Sequence, residues 1–251
     1  MKIARRSAMV LLVTQSIALL VTAPILRARA SSGAAVAEKV RPAAVAGAFY
    51  PADPKELGKM IDNMLAQAAP PPVEGEILAA VAPHAGYPYS GPVAAWTYAA
   101  LKGHRYARVV VIAPSHYVDF GFTSIYDGDA YTTPFGQIRV DTDFAHRLAK
   151  MSPTMRLSDK GHQSTADAPE HSIEVELPWL QKVLGDFEFV PIVMGDQSYE
   201  SSRALGVALA KMLGNEHDTL VLASSDLSHY HSYEEAATID HKTLHALEAW
   251  D

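Results

Sequence analysis

The amino-acid sequence predicts an α/β fold, with a largely parallel central sheet flanked by helices. Three features predict it. Apolar runs at Ile77–Val81, Val109–Ala113 and Leu220–Ala223 have strand length and stop abruptly at turn residues. Stretches with apolar residues at helical spacing separate them. Strands that alternate with helices of this length pair in parallel, because each crossover lays a helix across the sheet.

Taken in order, the chain opens on Lys2, Arg5 and Arg6, then a mostly apolar run from Ala8 to Leu26, then the small-x-small triplet Ala28-Arg29-Ala30. Residues 1–30 therefore read as a secretory signal peptide, which predicts an exported protein, periplasmic or extracellular. An uncleaved membrane anchor is the alternative, weakened by Thr14, Gln15, Ser16 and Pro24 within the run. Residues 31–40 are small, polar and alanine-rich and read as a disordered leader. Residues 41–251 remain as a single α/β domain, and about 220 residues suffice for a substantial core.

Asp53 caps a helix that starts at Pro54 and runs to about Ala68, with Leu57, Met60, Ile61, Met64 and Leu65 at helical spacing. Pro70-Pro71-Pro72 ends it and leads to Ile77–Val81, which reads as a buried strand. A loop of Gly86, Pro88 and Gly91 carries Tyr87 and Tyr89, and a helix follows over Pro92–Lys102. Arg108–Ala113 is the second strand, and shorter strand-like pieces follow at Thr123–Tyr126 and Gln137–Val140. Thr142–Met151 reads as a helix, and Pro153–Pro169 as an irregular loop long enough to cover a ligand. Glu170 opens a helix to about Leu184. Phe187–Val193 is a strand that Pro191 should push to an edge or a bulge. Ser198 caps a helix to Leu213, Thr219–Ala223 is the third long strand, and Glu234–Trp250 is helical.

A formal charge of −7 with no basic stripe argues against nucleic-acid binding. With no cysteine the protein has no disulfide, and a metal site must draw on nitrogen and oxygen ligands. There is no GxSxG, P-loop or GxGxxG motif, and Ser115 and Ser225 lack the strand–nucleophile–helix context of a covalent serine mechanism.

The chemistry concentrates where strands end. Val81 is followed by Ala82-Pro83-His84, Ala113 by Pro114-Ser115-His116, and Ala223 by Ser224-Ser225-Asp226-Leu227-Ser228-His229. In a parallel sheet such ends converge on one crevice. Neutral imidazoles from His84 and His116 suit iron, copper or zinc, and two of them need a third ligand, often a carboxylate. Loop histidines bonded to backbone are the plainer reading. Asp226 and His229, three apart, read as a ligand with an acid/base or as a mutually oriented pair, unless Asp226 only caps a helix. His171, at a helix mouth with Glu174 one turn on, should be held neutral by the helix N-terminus, or else lies at the surface with Glu170 as the cap. Of the eleven histidines, His104, His146, His162, His217, His241 and His245 read as solvated, and His231 stays unassigned.

The motifs AGAFYP (Ala46–Pro51), APHAGYPYSG (Ala82–Gly91), APSH (Ala113–His116), EHSIEVELPWL (Glu170–Leu180) and SSDLSH (Ser224–His229) together resemble the MEMO family, called AmmeMemoRadiSam system protein B in bacteria and archaea. They run in family order over nearly all of residues 41–250. The resemblance implies a fold similar to class III extradiol (LigB-type) dioxygenases, which use non-haem iron. It implies His84 and His116 as metal ligands, His229 as acid/base with Asp226 beside it, and His171 in the same pocket. Fe(II) is the first expectation for the metal, then Cu, then Zn. The family's third ligand is a cysteine downstream of SSDLSH. This chain has no cysteine and stops at Asp251, so the third ligand is not found in it, and the expectation is a fragment or a fold without its C-terminal part.

Three functions follow as expectations: a dioxygenase-like redox enzyme acting on a small substrate, a non-catalytic metal- or peptide-binding signalling protein, and a zinc hydrolase whose site Asp226 or His171 completes. The resemblance also implies a link to a radical SAM protein and an AMMECR-type protein.

Overall fold

From Val109 to Ala113 no polar residue interrupts the apolar run, which is the pattern of a strand covered on both faces. In the computed structural model, which describes residues 39–249, the run has that place. Val109, Val111 and Ala113 join one apolar cluster, while Val110 and Ile112 join another. The signal-peptide expectation and all of the leader before Lys39 lie outside the described residues.

The elements are β1 (Val40–Arg41), α1 (Pro54–Gln67), β2 (Ala79–Ala82), α2 (Tyr87–Leu101), β3 (Arg108–Pro114), β4 (Thr123–Ile125), β5 (Ala130–Thr133), β6 (Gly136–Arg139), α3 (Thr142–Leu148), β7 (Met155–Leu157), β8 (Ser164–Thr165), β9 (Ala168–Pro169), a 3-10 turn (Glu174–Glu176), α4 (Leu177–Leu184), β10 (Glu188–Met194), α5 (Tyr199–Leu213), β11 (Thr219–Ser224) and α6 (Tyr233–Ala249). The central sheet has the order β2-β11-β3-β10-β4-β7. All its pairings are parallel except β10 with β4. A small sheet, β1-β5-β6, lies beside it.

Helices cover both faces. On one side Leu57 and Ile61 of α1, Ala94, Tyr98 and Leu101 of α2, and Trp179 and Leu180 of α4 pack with the odd-numbered residues of β3. On the other, Phe144 and Leu148 of α3 and Leu205 and Leu209 of α5 pack with Val110, Val190 and Ile192. Full burial of side chains this size stabilises by roughly 1.5–3 kcal/mol each, so this alternation holds the sheet between its layers. α1 begins as its residues demand: the Asp53 carboxylate accepts from the N–H groups of Lys55 and Glu56, and Pro54 fills the first position.

Five expectations need correction. Ile77–Val81 is not a buried strand: among the described residues β2 pairs only with β11, at the sheet's edge, and Leu78 and Val81 are 50% and 43% exposed. Pro191 does not push its strand outward, because β10 is interior. The Pro191 carbonyl accepts from Tyr126 N–H on the β4 side, so the missing N–H falls at the end of a short strand and removes one ladder bond. The helix expected from Pro92 begins at Tyr87, directly after Gly86, since Pro88 sits in the first turn, where its missing N–H is not needed. No helix opens at Glu170; residues 170–171 are irregular, residues 172–173 are turn, and the 3-10 turn leads into α4 only at Leu177. Val40, assigned to the leader, belongs to β1.

The N-terminal turn is pinned by a buried pair. Arg41 Nη1 donates to Glu174 Oε2 at 2.6 Å, and Arg41 Nε to the His162 carbonyl at 2.9 Å. Glu174 also accepts from Ala44 N–H, Val45 N–H and the Tyr50 hydroxyl. The Phe49 carbonyl in turn accepts the N–H of Tyr87 at 2.8 Å, which ties this turn to the start of α2.

Candidate functional site

Because β2, β11 and β3 are adjacent and parallel, their carboxyl ends lie side by side, and each releases a loop there. His84 follows β2, His116 follows β3 and Asp226 follows β11. The ring centroids of His84 and His116 are 5.1 Å apart, edge to face. His171 stacks on His116 at 4.5 Å, with 9° between the planes, and lies 6.0 Å from His84. Asp226 Oδ1 accepts the backbone N–H of His84 at 2.7 Å, and its Oδ2 stands 3.9 Å from His84 Nε2 and 3.3 Å from His229 Nε2. All five residues singled out in the sequence meet here, although residues 225–232 form a loop and not the start of a helix.

Each imidazole has a distinct electrostatic setting. Burial pushes His84 down to about 4, and the neighbouring histidines act in the same direction against Asp226. His171 is also lowered, by burial and by His116, so its neutral form comes from desolvation and a like neighbour, with no helix N-terminus involved. His116 is raised, because its ring hydrogen-bonds the Glu170 carboxylate. Burial works to raise Glu170, yet hydrogen bonds from the His116 ring, His116 N–H and Ser172 N–H hold it at about 2.

Glu170 therefore acts as an ionised acceptor. Its Oε1 meets His116 Nδ1 at 2.9 Å, His171 N–H at 2.8 Å and Ser172 N–H at 3.1 Å, and its Oε2 meets His116 N–H at 2.7 Å. A carboxylate can only accept, so in its neutral form His116 carries the proton at Nδ1 and leaves Nε2 bare.

Donor atoms of His116, Glu170 and His171 lie within 4.8 Å of one another, a spacing compatible with a shared cation. Four donors already occupy Glu170, so its role is to orient His116. His171 Nδ1 is buried with no hydrogen-bond partner among the described residues. Three converging imidazoles, one of them with an orphaned ring nitrogen, and the Asp226 carboxylate form an all nitrogen and oxygen donor set that fits a transition metal.

The site opens into a cavity of about 630 Å³ lined by Phe49, Tyr89, Tyr117, His229 and Tyr230 besides His116, His171 and Asp226. Phe49 lies against His171 at 4.4 Å. Of the two loop tyrosines, only Tyr89 faces the cavity. Tyr87 is core: it is 1% exposed, packs on Trp179 and donates to the Val175 carbonyl. The loop over Pro153–Pro169 contributes no lining residue. Glu174, expected beside His171, turns instead to Arg41. His162, expected in solvent, is buried, accepts from the Tyr131 hydroxyl at 2.5 Å and is pushed down to about 3 by burial.

Sequence reasoning missed Glu170 as an orienting group, and with it Ser224 and Glu176 behind His84. Ser224 Oγ lies 2.8 Å from His84 Nδ1 and 2.7 Å from Glu176 Oε1. A signal was present in Glu170, Glu174 and Glu176, three carboxylates within seven residues interleaved with Ile173, Val175 and Leu177. Acids in so apolar a stretch are buried only with partners.

A Memo-like protein family model matches residues 41–251. A MEMO1 family protein of Methanopyrus kandleri is 38% identical over 222 residues, covering 84% of this chain and 76% of the relative. One from Pyrobaculum aerophilum is 39% identical over 204 residues, covering 78% and 71%. One from Aquifex aeolicus is 36% identical over 211 residues, covering 84% and 75%. With the same five motifs assembled around one pocket, the chain belongs to the MEMO family.

Proposed function

We propose that the chain is a metal-binding, dioxygenase-like protein, with a redox metal held by Nε2 of His84 and of His116. The observation that carries this is the convergence of three imidazoles, two from the ends of the parallel strands β2 and β3 and one from the segment before the 3-10 turn. Asp226 Oδ2 and His171 Nδ1 are the further donors at hand. Iron, or copper in second place, would supply there an electrophilic, redox-active centre for dioxygen and an oxygenated aromatic substrate. The protein's own contribution is positioning. Phe49, Tyr89, Tyr117 and Tyr230 offer aromatic walls to a planar substrate. His229, half exposed beside Asp226, takes a proton from a substrate hydroxyl at Nε2, and Asp226 stabilises the imidazolium that forms.

Dioxygen uptake on adding a catechol to the iron-loaded protein, with uptake lost in His229→Gln, supports this reading. No uptake by a metal-loaded wild-type protein overturns the enzymatic part. A zinc hydrolase is the second reading, favoured by the Asp226 carboxylate beside His84; stoichiometric zinc with ester hydrolysis would establish it.

A further inference from the structure

Behind His84, on the side away from the cavity, lies a buried polar chain that the proposed chemistry does not use. Ser224 Oγ, at the end of β11, has three polar neighbours: the Ser172 carbonyl at 2.6 Å, Glu176 Oε1 at 2.7 Å and His84 Nδ1 at 2.8 Å. Glu176 Oε2 is bonded by the Tyr98 hydroxyl. His84, Glu176 and Ser224 are all buried, so no solvent competes for these bonds.

Donors and acceptors in this cluster can be assigned by elimination. A serine hydroxyl carries one proton and two lone pairs, and a backbone carbonyl only accepts. The Ser224 proton must therefore face the Ser172 carbonyl, since two lone pairs at 2.6 Å would otherwise oppose each other unpaired. Ser224 is then an acceptor toward both remaining neighbours. Burial pushes the Glu176 carboxyl up to about 8, which suits a protonated group donating to Ser224. Were Glu176 ionised, it would compete for the same Ser224 proton and still draw it away from His84. In either state the group on His84 that faces Ser224 has to be a donor.

We propose that Ser224, held by the Ser172 carbonyl and by Glu176, is a positioning residue that locks His84 in its Nδ1–H tautomer and so keeps Nε2 bare on the side of Asp226 and the other two imidazoles. Nε2 lies 3.9 Å from Asp226 Oδ2, which fixes the direction it faces. The arrangement mirrors Glu170 on His116: one imidazole is oriented by a carboxylate, the other by a hydroxyl backed by a carboxyl. The two histidines thereby have the same nitrogen, Nδ1, engaged by an orienting partner. The Ser172 carbonyl comes from the turn that also carries His171, so one serine ties β11 to the segment bearing the third imidazole. The consequence for metal binding rests on the reading of His84 as a ligand; the tautomer itself does not.

The test reads the tautomer directly. Protein labelled with 15N-histidine, free of metal and at neutral pH, is examined by long-range 1H–15N correlation, with His84→Gln used to assign the signal. The expected result is a protonated Nδ1 and a bare Nε2 in the wild type. Ser224→Ala is expected to move His84 toward the Nε2–H form and to weaken Zn(II) and Fe(II) binding by about 10- to 100-fold. Ser224→Thr, which keeps the hydroxyl, and Glu176→Gln, whose amide can still donate, are expected to restore both. A wild-type His84 protonated at Nε2, or a Ser224→Ala protein with tautomer and affinity unchanged, overturns the proposal; the wild-type spectrum decides even where a variant does not fold. A wild-type protein in the Nδ1–H form that binds neither metal supports the positioning role and overturns the metal reading.

Discussion

The backbone N–H of His84 donates to Asp226 Oδ1 across 2.7 Å, joining loops 142 residues apart in the chain. The bond ties the loop after β2 to the loop after β11, and it uses one carboxylate oxygen while leaving the other toward His229. Asp226→Ala should lower unfolding free energy by about 1.5–3 kcal/mol, the range for a hydrogen bond to a charged group. Asp226→Asn keeps an acceptor for His84 and should recover most of that loss while weakening the contact to His229. Urea denaturation of the two variants separates the roles; equal losses would mean the backbone bond is not what matters.

Glu170 raises the pKa of His116 by accepting its Nδ1–H, so Glu170→Gln should lower the pKa of that histidine. The sign in the wild type follows. His116, raised in the fold, contributes stability that is full below its ordinary value and is lost as pH rises through the raised one. Glu170, lowered to about 2, contributes stability present above the ordinary carboxylate range and lost as pH falls toward 2. Titration of the His116 ring signals by NMR measures the shift, and an unmoved titration curve would refute the pairing.

His162 gives a second pH signature, remote from the pocket. Its ring is neutral and buried, pushed down to about 3, whereas the unfolded chain binds a proton there below about 6.5. Stability from this residue is therefore present above pH 6.5 and falls by roughly 1.4 kcal/mol per pH unit between about pH 6 and pH 3. The His162→Gln protein should show a shallower loss over that window by the same amount, measured by denaturation at several pH values. Parallel curves for the two proteins would contradict the assignment.

Removing one member of the buried Arg41–Glu174 pair leaves the other charged and unpaired. Glu174→Leu should cost about 3–5 kcal/mol, with the N–H groups of Ala44 and Val45 and the Tyr50 hydroxyl losing their acceptor as well. Arg41→Met should be comparably damaging. A loss below about 1 kcal/mol in calorimetry would show that the pair behaves like an exposed one.

The sheet was legible because β3 and β11 carry uninterrupted apolar runs and β10 one broken only by Pro191, and the strand-end motifs carried His84, His116 and Asp226 with them. Edge and interior were misread for β2 and β10. Apolar composition alone does not say how many neighbours a strand has, and Pro191 is tolerated inside because β4 ends where the missing N–H falls. Around Tyr87 and Glu170 the helix boundaries slipped, since proline and acidic residues signal a start without fixing which turn it is. The orienting groups were the least visible part. Ser224, Glu170 and Glu176 act through contacts with residues 48 to 140 positions away in the sequence, and no local spacing announces such a contact.

The central claim, that His84 and His116 hold a metal, is tested most directly by elemental analysis after reconstitution with Fe(II) and desalting, on the wild type and on a His84→Ala plus His116→Ala protein of matched fold. The account predicts near-stoichiometric iron in the wild type and background levels in the double variant. Equal iron in both proteins would contradict it.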